Sequence, residues 1–179
     1  MRAAAERGRL LHALFERLPA LAPDVREAAG DRWLERSAGL ADPAARRSLV
    51  EDACAIIADP AHGDIFSPEA LAEAPIAAVV GGQVIAGTVD RLLVTPDRIT
   101  LIDFKTGRRV PGGLDQVPEH HLAQMGAYAA ALAAIFPGRR IEAALLYTSG
   151  PRLFVLPPDL LAAHKPGLAD PEQSLAAAR

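Results

Sequence analysis

Cysteine is nearly missing from this chain: Cys54 is the only one in 179 residues. That excludes a disulfide framework, a thiolate zinc centre and a four-cysteine iron–sulfur cluster. Long apolar runs are missing too. None approaches the ~18 residues that cross a bilayer, and Arg2, Glu6, Arg7 and Arg9 punctuate the start, so neither a membrane span nor a signal peptide is read. Nor is there an excess of positive charge: the formal net charge is −3 and the pI about 5.9, which argues against nucleic-acid binding by charge alone. A phosphate-cradling GxxxxGK[ST] loop is also lacking, so no bound nucleotide is expected. Lysine is scarce: of 19 basic residues only Lys105 and Lys165 are lysines.

What is present is the composition of a folded soluble protein, 50% hydrophobic and 23% charged. The expectation is one domain over 1–179, in the reducing cytoplasm. Residues 1–59 read as a helical segment. Leu10, Leu11, Leu14, Phe15 and Leu18 recur at helical spacing up to Pro19. Asp24 is expected to cap a second helix, and Asp42-Pro43 to open a third. Residues 60–70 read as loop, with a helical turn after Ser67. The core is expected over 73–156. Pro75–Val80, Gln83–Val94 and Arg98–Lys105 form an antiparallel meander around turns at Gly81-Gly82 and Pro96-Asp97. The third strand is apolar on both faces, hence central and covered. A helix over Glu119–Phe136, strands over Arg140–Thr148 and Leu153–Leu156, and a short helix after Pro158 complete the fold. A frayed tail is expected over 167–179.

Chemistry concentrates on the meander. Asp103 and Lys105 are two apart on a strand and leave the same face as Ile99 and Leu101. Burying a carboxylate and an ammonium at the end of an apolar face costs several kcal/mol unless they are paired or bound to metal. Hairpin pairing about Pro96-Asp97 brings Asp90 towards Asp103. Two converging carboxylates with a lysine beside them suit hydrolysis assisted by a magnesium ion. Gln124 and Tyr128 are four apart on the long helix and share a face. Their polar atoms need partners, and a phosphodiester backbone supplies acceptors. Read alone, D-x-K is a common ion pair, His12 an ordinary helix histidine with room beside it at Gly8, and His62 a loop residue. His120 and His121 read as helix-start residues or phosphate contacts. Arg91, Arg108 and Arg109 read as exposed arginines that can meet phosphates, Trp33 and Phe15 as core, and Cys54 as a small buried apolar residue.

In order and spacing, G-x-x-D (Gly87 to Asp90), I-D-F-K-T (Ile102 to Thr106) and Q-x-x-x-Y (Gln124 to Tyr128) resemble the RecB-type branch of the PD-(D/E)xK nucleases. Arg7 to Pro19 and Pro137 to Thr148 extend the likeness, which is closest to the C-terminal nuclease domain of AddA-type helicase–nuclease subunits. The resemblance implies an α/β, restriction-endonuclease-like mixed sheet flanked by helices, with an N-terminal helical segment. It implies catalytic roles for Asp90, Asp103 and Lys105. Metal ligation by His12, Asp90, Asp103 and the carbonyl of Phe104 is likewise implied. Gln124 and Tyr128 correspond to the motif supporting the site and the DNA strand, and Glu73 falls more loosely where relatives often have an acidic residue. The implied cofactor is Mg2+, with Mn2+ as a substitute and no iron–sulfur cluster.

The implied activity is hydrolysis of DNA phosphodiester bonds, preferably in single strands, as a (exo)deoxyribonuclease processing double-strand breaks for repair and recombination. The implied partners are DNA, the helicase motor of a parent chain from which this domain is excised, and an AddB-like subunit, with no membrane. The alternative is a non-catalytic DNA-binding or docking module of such a complex.

Overall fold

The structure, a computed structural model, describes residues 2–107 and 109–167. The tail expected over 167–179 therefore lies almost wholly outside the described residues, as does Arg108. Three helices come first: α1 (Arg2–Arg17), α2 (Pro23–Arg36) and α3 (Pro43–Ala58). The Asp42 carboxylate caps α3 by accepting the Ala44 N–H at 3.0 Å. Asp24 is not a cap. Pro23 already occupies the first helical position of α2, which places Asp24 inside the first turn.

The stretch expected to be loop is instead a 3₁₀ helix over Pro60–Phe66, capped by Asp59 through the Ala61 N–H at 2.8 Å. Its helical turns thus precede Ser67 rather than follow it. This helix buries His62, whose Nδ1–H donates to the Ile56 carbonyl at 2.7 Å. His62 is a structural tie, not a loop side chain.

Five strands follow: β1 (Leu71–Val80), β2 (Gln83–Val94), β3 (Arg98–Lys105), β4 (Arg140–Tyr147) and β5 (Arg152–Leu156), in the order β1-β2-β3-β4-β5. β1 begins four residues before Pro75. Proline is tolerated there because β1 is an edge strand, with one side free of ladder partners. Only β3 and β4 run parallel, and the crossover such a pair needs is supplied by α4 (Glu119–Ile135). A short α5 (Pro158–Ala163) closes the chain. The fold is the mixed sheet with flanking helices and N-terminal helical segment of the restriction-endonuclease-like class.

β3 is central and covered on both faces. Ile99 and Leu101 pack beneath α4 with Met125, Leu132 and Leu145, all essentially inaccessible. Ile102 and Phe104 pack on the other side with Leu14 and Phe15 of α1 and Ile56 of α3. Arg91 belongs to this second core. It is 3% exposed, and its guanidinium donates to the carbonyls of Ile65 (2.9 Å) and Ser67 (3.0 Å), tying the 3₁₀ helix to the sheet. Its role is architectural, and it offers nothing to a phosphate. Phe15 is core, whereas Trp33 and Cys54 lie half-buried at its rim; the Arg17 guanidinium covers the Trp33 ring at 4.7 Å. Among the described residues no helix is long and apolar enough to cross a membrane.

Candidate active site

The site forms where the C-terminal end of β3 meets α1, β2 and α4. Strand alternation places Asp103, 6% exposed, on the α4 side with Ile99 and Leu101. The β2–β3 register pairs Arg91 with Ile102, so one further step sets Asp90 opposite Asp103. There the alternation of β2 slips. Val89 and Leu92, three apart, both join the core beneath α4, while Arg91 lies against Phe66 on the other side. Across from the slip, Glu73 of β1 has φ of 49°, the left-handed region that a glutamate rarely adopts.

The slip turns Asp90 towards α1. Its Oδ2 accepts the Phe104 N–H at 2.5 Å, and its Oδ1 lies 3.8 Å from His12 Nδ1. A carbonyl can only accept, so the 3.2 Å contact between His12 Nε2 and Phe104 O makes Nε2 the donor and aims Nδ1 at Asp90. Holding one ring nitrogen on a backbone carbonyl to aim the other is how metal-binding histidines are oriented. His12, Glu73 and Asp90 each offer a ligand atom, all within 4.8 Å of one another.

One imidazole and two carboxylates suit Mg2+ or Mn2+, which take hard oxygen donors. The charges agree. Burial, reinforced by the neighbouring Asp103 and Glu73 carboxylates, pushes Asp90 up to about 6, against the pull of the Phe104 N–H and His12. A buried carboxylate pushed up by its acidic neighbours is one that a cation would relieve. Asp103 Oδ2 is buried without a hydrogen bond and has its counter-charge in Lys105 Nζ at 2.7 Å. The donors present fit a divalent ion. Asp103 itself is turned towards Lys105 and stands outside the group of three.

A carboxyl raised in the folded state leaves the protein most stable where that carboxyl is protonated. Stability falls as pH rises from the ordinary carboxylate range to about 6. Asp90→Asn keeps an acceptor for the Phe104 N–H and removes the charge. In EDTA at pH 7.5 its unfolding free energy from urea denaturation should exceed that of the wild type by on the order of 2–3 kcal/mol, with the difference gone near pH 4. Equal pH profiles would refute this reading of the carboxylate.

Lys105 is held from two sides, by Asp103 and by Gln124 Oε1, which accepts from Nζ at 2.8 Å. One turn along α4, Tyr128 lies directly against Gly87. A Cβ there would stand 2.2 Å from Tyr128 Oη, so the glycine of G-x-x-D and the tyrosine of Q-x-x-x-Y are fitted to each other. Gly8 is likewise a packing glycine. A Cβ on it would fall 2.3 Å from Thr106 Oγ1, so Thr106 fills the space expected to be open beside His12.

From the site a cleft of about 570 Å3 opens along the loop after β3. His12, Lys105, Arg109, Gln116, His121 and Tyr147 line it. His121 is not near enough to join the ligand group. Its Nδ1 lies 2.8 Å from Tyr147 Oη, and burial, then the Lys105 and His120 charges, push its imidazole down to about 4. His120 is exposed and packs on the His121 ring at 4.3 Å.

Sequence reading gave Glu73 little weight. Its only signal is position, just before the strand expected from Pro75, whereas it lies within β1. The His121–Tyr147 contact, 26 residues apart, left no local signal.

A mixed five-stranded sheet with a buried Asp–Lys pair at its central strand end, beside three residues that could hold a divalent ion, defines a restriction-endonuclease-like α/β protein. The chain belongs to the PD-(D/E)XK nuclease superfamily, whose family model matches residues 1–175. No curated protein matches it. The crystal structure of SSO0001 is similar over 81% of this chain and 64% of its own, at 20% identity and a TM-score of 0.37. The chain thus spans just under two thirds of that protein's length.

Proposed function

We propose that this chain is a Mg2+-dependent deoxyribonuclease of the RecB type, closest to AddA nuclease domains, hydrolysing DNA phosphodiester bonds with a preference for single strands. The observation that carries the reading is Lys105, fixed between Asp103 and Gln124 beside the ligand atoms of His12, Glu73 and Asp90. Those three residues would hold the ion, while Asp103 and the Phe104 carbonyl, the other two expected ligands, hold Lys105 and His12 instead. Bound there, a divalent cation offsets phosphate charge and makes water a better nucleophile.

The chain's own groups do the rest. Lys105 presents a compact ammonium to charge that develops on the phosphate, and because Asp103 and Gln124 already hold it, little reorganisation is needed. Gln124 fixes the lysine's position. Tyr128, seated on Gly87, holds α4 against β2. Buried side chains beneath both faces of β3 keep these groups in register.

In this reading the domain works in double-strand-break end processing, in the cytoplasm, fed with an unwound strand by a helicase motor and assisted by an AddB-like subunit. The support is the motif likeness together with an acidic chain that needs help to hold DNA. The test is cleavage of labelled linear and circular single-stranded and duplex DNA, in Mg2+ or Mn2+ against EDTA. Metal-dependent cutting of linear single strands is expected, and loss in EDTA. Failure to cut any substrate, with no Mn2+ binding by calorimetry, would replace the enzyme with a docking module.

A further inference from the structure

The cleft beside Lys105 has an unusual lining for a chain of net charge −3: among the described residues no carboxylate lines it, while Lys105, Arg109, His12 and His121 all do. Within it, the His121 ring is held in one orientation. Tyr147 is 2% exposed, and His121 Nδ1 is the acceptor within reach of its hydroxyl. A buried hydroxyl must donate somewhere, so Tyr147 Oη–H points at Nδ1. That fixes the tautomer: Nδ1 accepts and Nε2 carries the hydrogen. Nε2 has no partner on the protein among the described residues and is not buried. A ring whose free N–H stands in a cleft that no described carboxylate lines is a donor suited to an anion.

We propose that this cleft seats the backbone phosphate next to the scissile one, with His121 Nε2–H donating to a non-bridging oxygen and Arg109 supplying charge. Tyr147 is a positioning residue that acts through His121. The inference rests on the nuclease reading and deepens it: recognition here is of the phosphate backbone, not of bases, and is therefore sequence-independent. His121 is a hydrogen-bond donor, not a proton donor, because partial burial and the neighbouring Lys105 and His120 charges push its imidazole down to about 4.

The test uses the whole chain and a fluorescent single-stranded oligonucleotide. Kd is measured by anisotropy in Ca2+, and KM and kcat by cleavage in Mn2+, over a range of salt. His121→Leu should raise Kd and KM about tenfold, as loss of a hydrogen bond to a charged group does, with kcat within about threefold. Because His121 is neutral, the dependence of log Kd on log salt should keep its slope, whereas Arg109→Ala should lower the slope by about 0.7. His121→Gln, which retains a neutral N–H donor, should recover most of the affinity. Tyr147→Phe should raise KM by a smaller factor with the salt slope unchanged. If wild type cuts and His121→Leu matches its Kd and KM, the cleft assignment is wrong and the nuclease stands. A lowered kcat with unchanged KM, tracking a lowered unfolding midpoint, would also overturn it by making His121 structural. If wild type neither binds nor cuts DNA, the nuclease reading fails and this inference fails with it.

Discussion

Lys105→Ala is expected to reduce metal-dependent DNA cleavage about a hundred- to a thousandfold, the scale on which a preorganised donor acts at a reacting centre. Mn2+ binding should persist, because the ligand atoms of His12, Glu73 and Asp90 are untouched. The two results together would separate a lysine that serves the reaction from one that merely holds the fold. Stability complicates the alanine variant. Asp103, whose side chain is 8% exposed, loses its counter-charge when Lys105 goes, and an uncompensated buried charge costs about 3–5 kcal/mol. The double variant Lys105→Met/Asp103→Asn removes both charges, should recover most of the lost midpoint, and should remain inactive. Lys105→Arg is expected to stay impaired as well, since a planar guanidinium cannot occupy the compact space between Asp103 and Gln124. Full activity in Lys105→Ala would place the chemistry elsewhere.

The second large effect is on stability. Phe104→Ala is expected to cost about 3–5 kcal/mol, read as a fall in the urea midpoint. The Phe104 ring is 5% exposed, 4.9 Å from Phe15 and stacked on Phe66 at 5.8 Å, with the edge of His12 against it at 5.4 Å. It therefore couples α1, the 3₁₀ helix and β3. Its backbone N–H and carbonyl hold Asp90 and His12, so loosening the ring should also weaken Mn2+ binding, although no ligand atom is removed. Phe104→Leu, which keeps most of the volume, should lose much less stability and retain the metal. A Phe104→Ala variant with the wild-type midpoint would show that the three-ring cluster does not join these elements.

Much of this was legible in the residues. The period of two in β3 placed Asp103 and Lys105 on one face with Ile99 and Leu101, because side-chain direction along a strand is a local property. The meander, the crossover helix and its stop at Pro137-Gly138 followed from turn chemistry of the same local kind. The Q-x-x-x-Y spacing put Gln124 and Tyr128 on one face of α4, and both face the sheet, on Lys105 and Gly87 respectively.

Other features depended on partners distant in sequence. Gly8 looked like open space beside His12 and is the seat of Thr106. Arg91 looked like a surface arginine and is a buried tie to the 3₁₀ helix. His62 looked like loop and is buried.

By itself, then, the sequence determined which groups share a face, where the elements stop, and that a carboxylate pair and a lysine meet at a strand end. Those outcomes follow from backbone periodicity and turn propensity, which act over a few residues. Only the tertiary structure decided the alternation slip at Asp90, the left-handed Glu73 opposite it, the turning of Asp103 towards Lys105 rather than into the ligand group, and the contact between Tyr147 and His121. Each depends on packing between elements tens of residues apart, where burial and hydrogen-bond satisfaction, rather than local propensity, select the conformation.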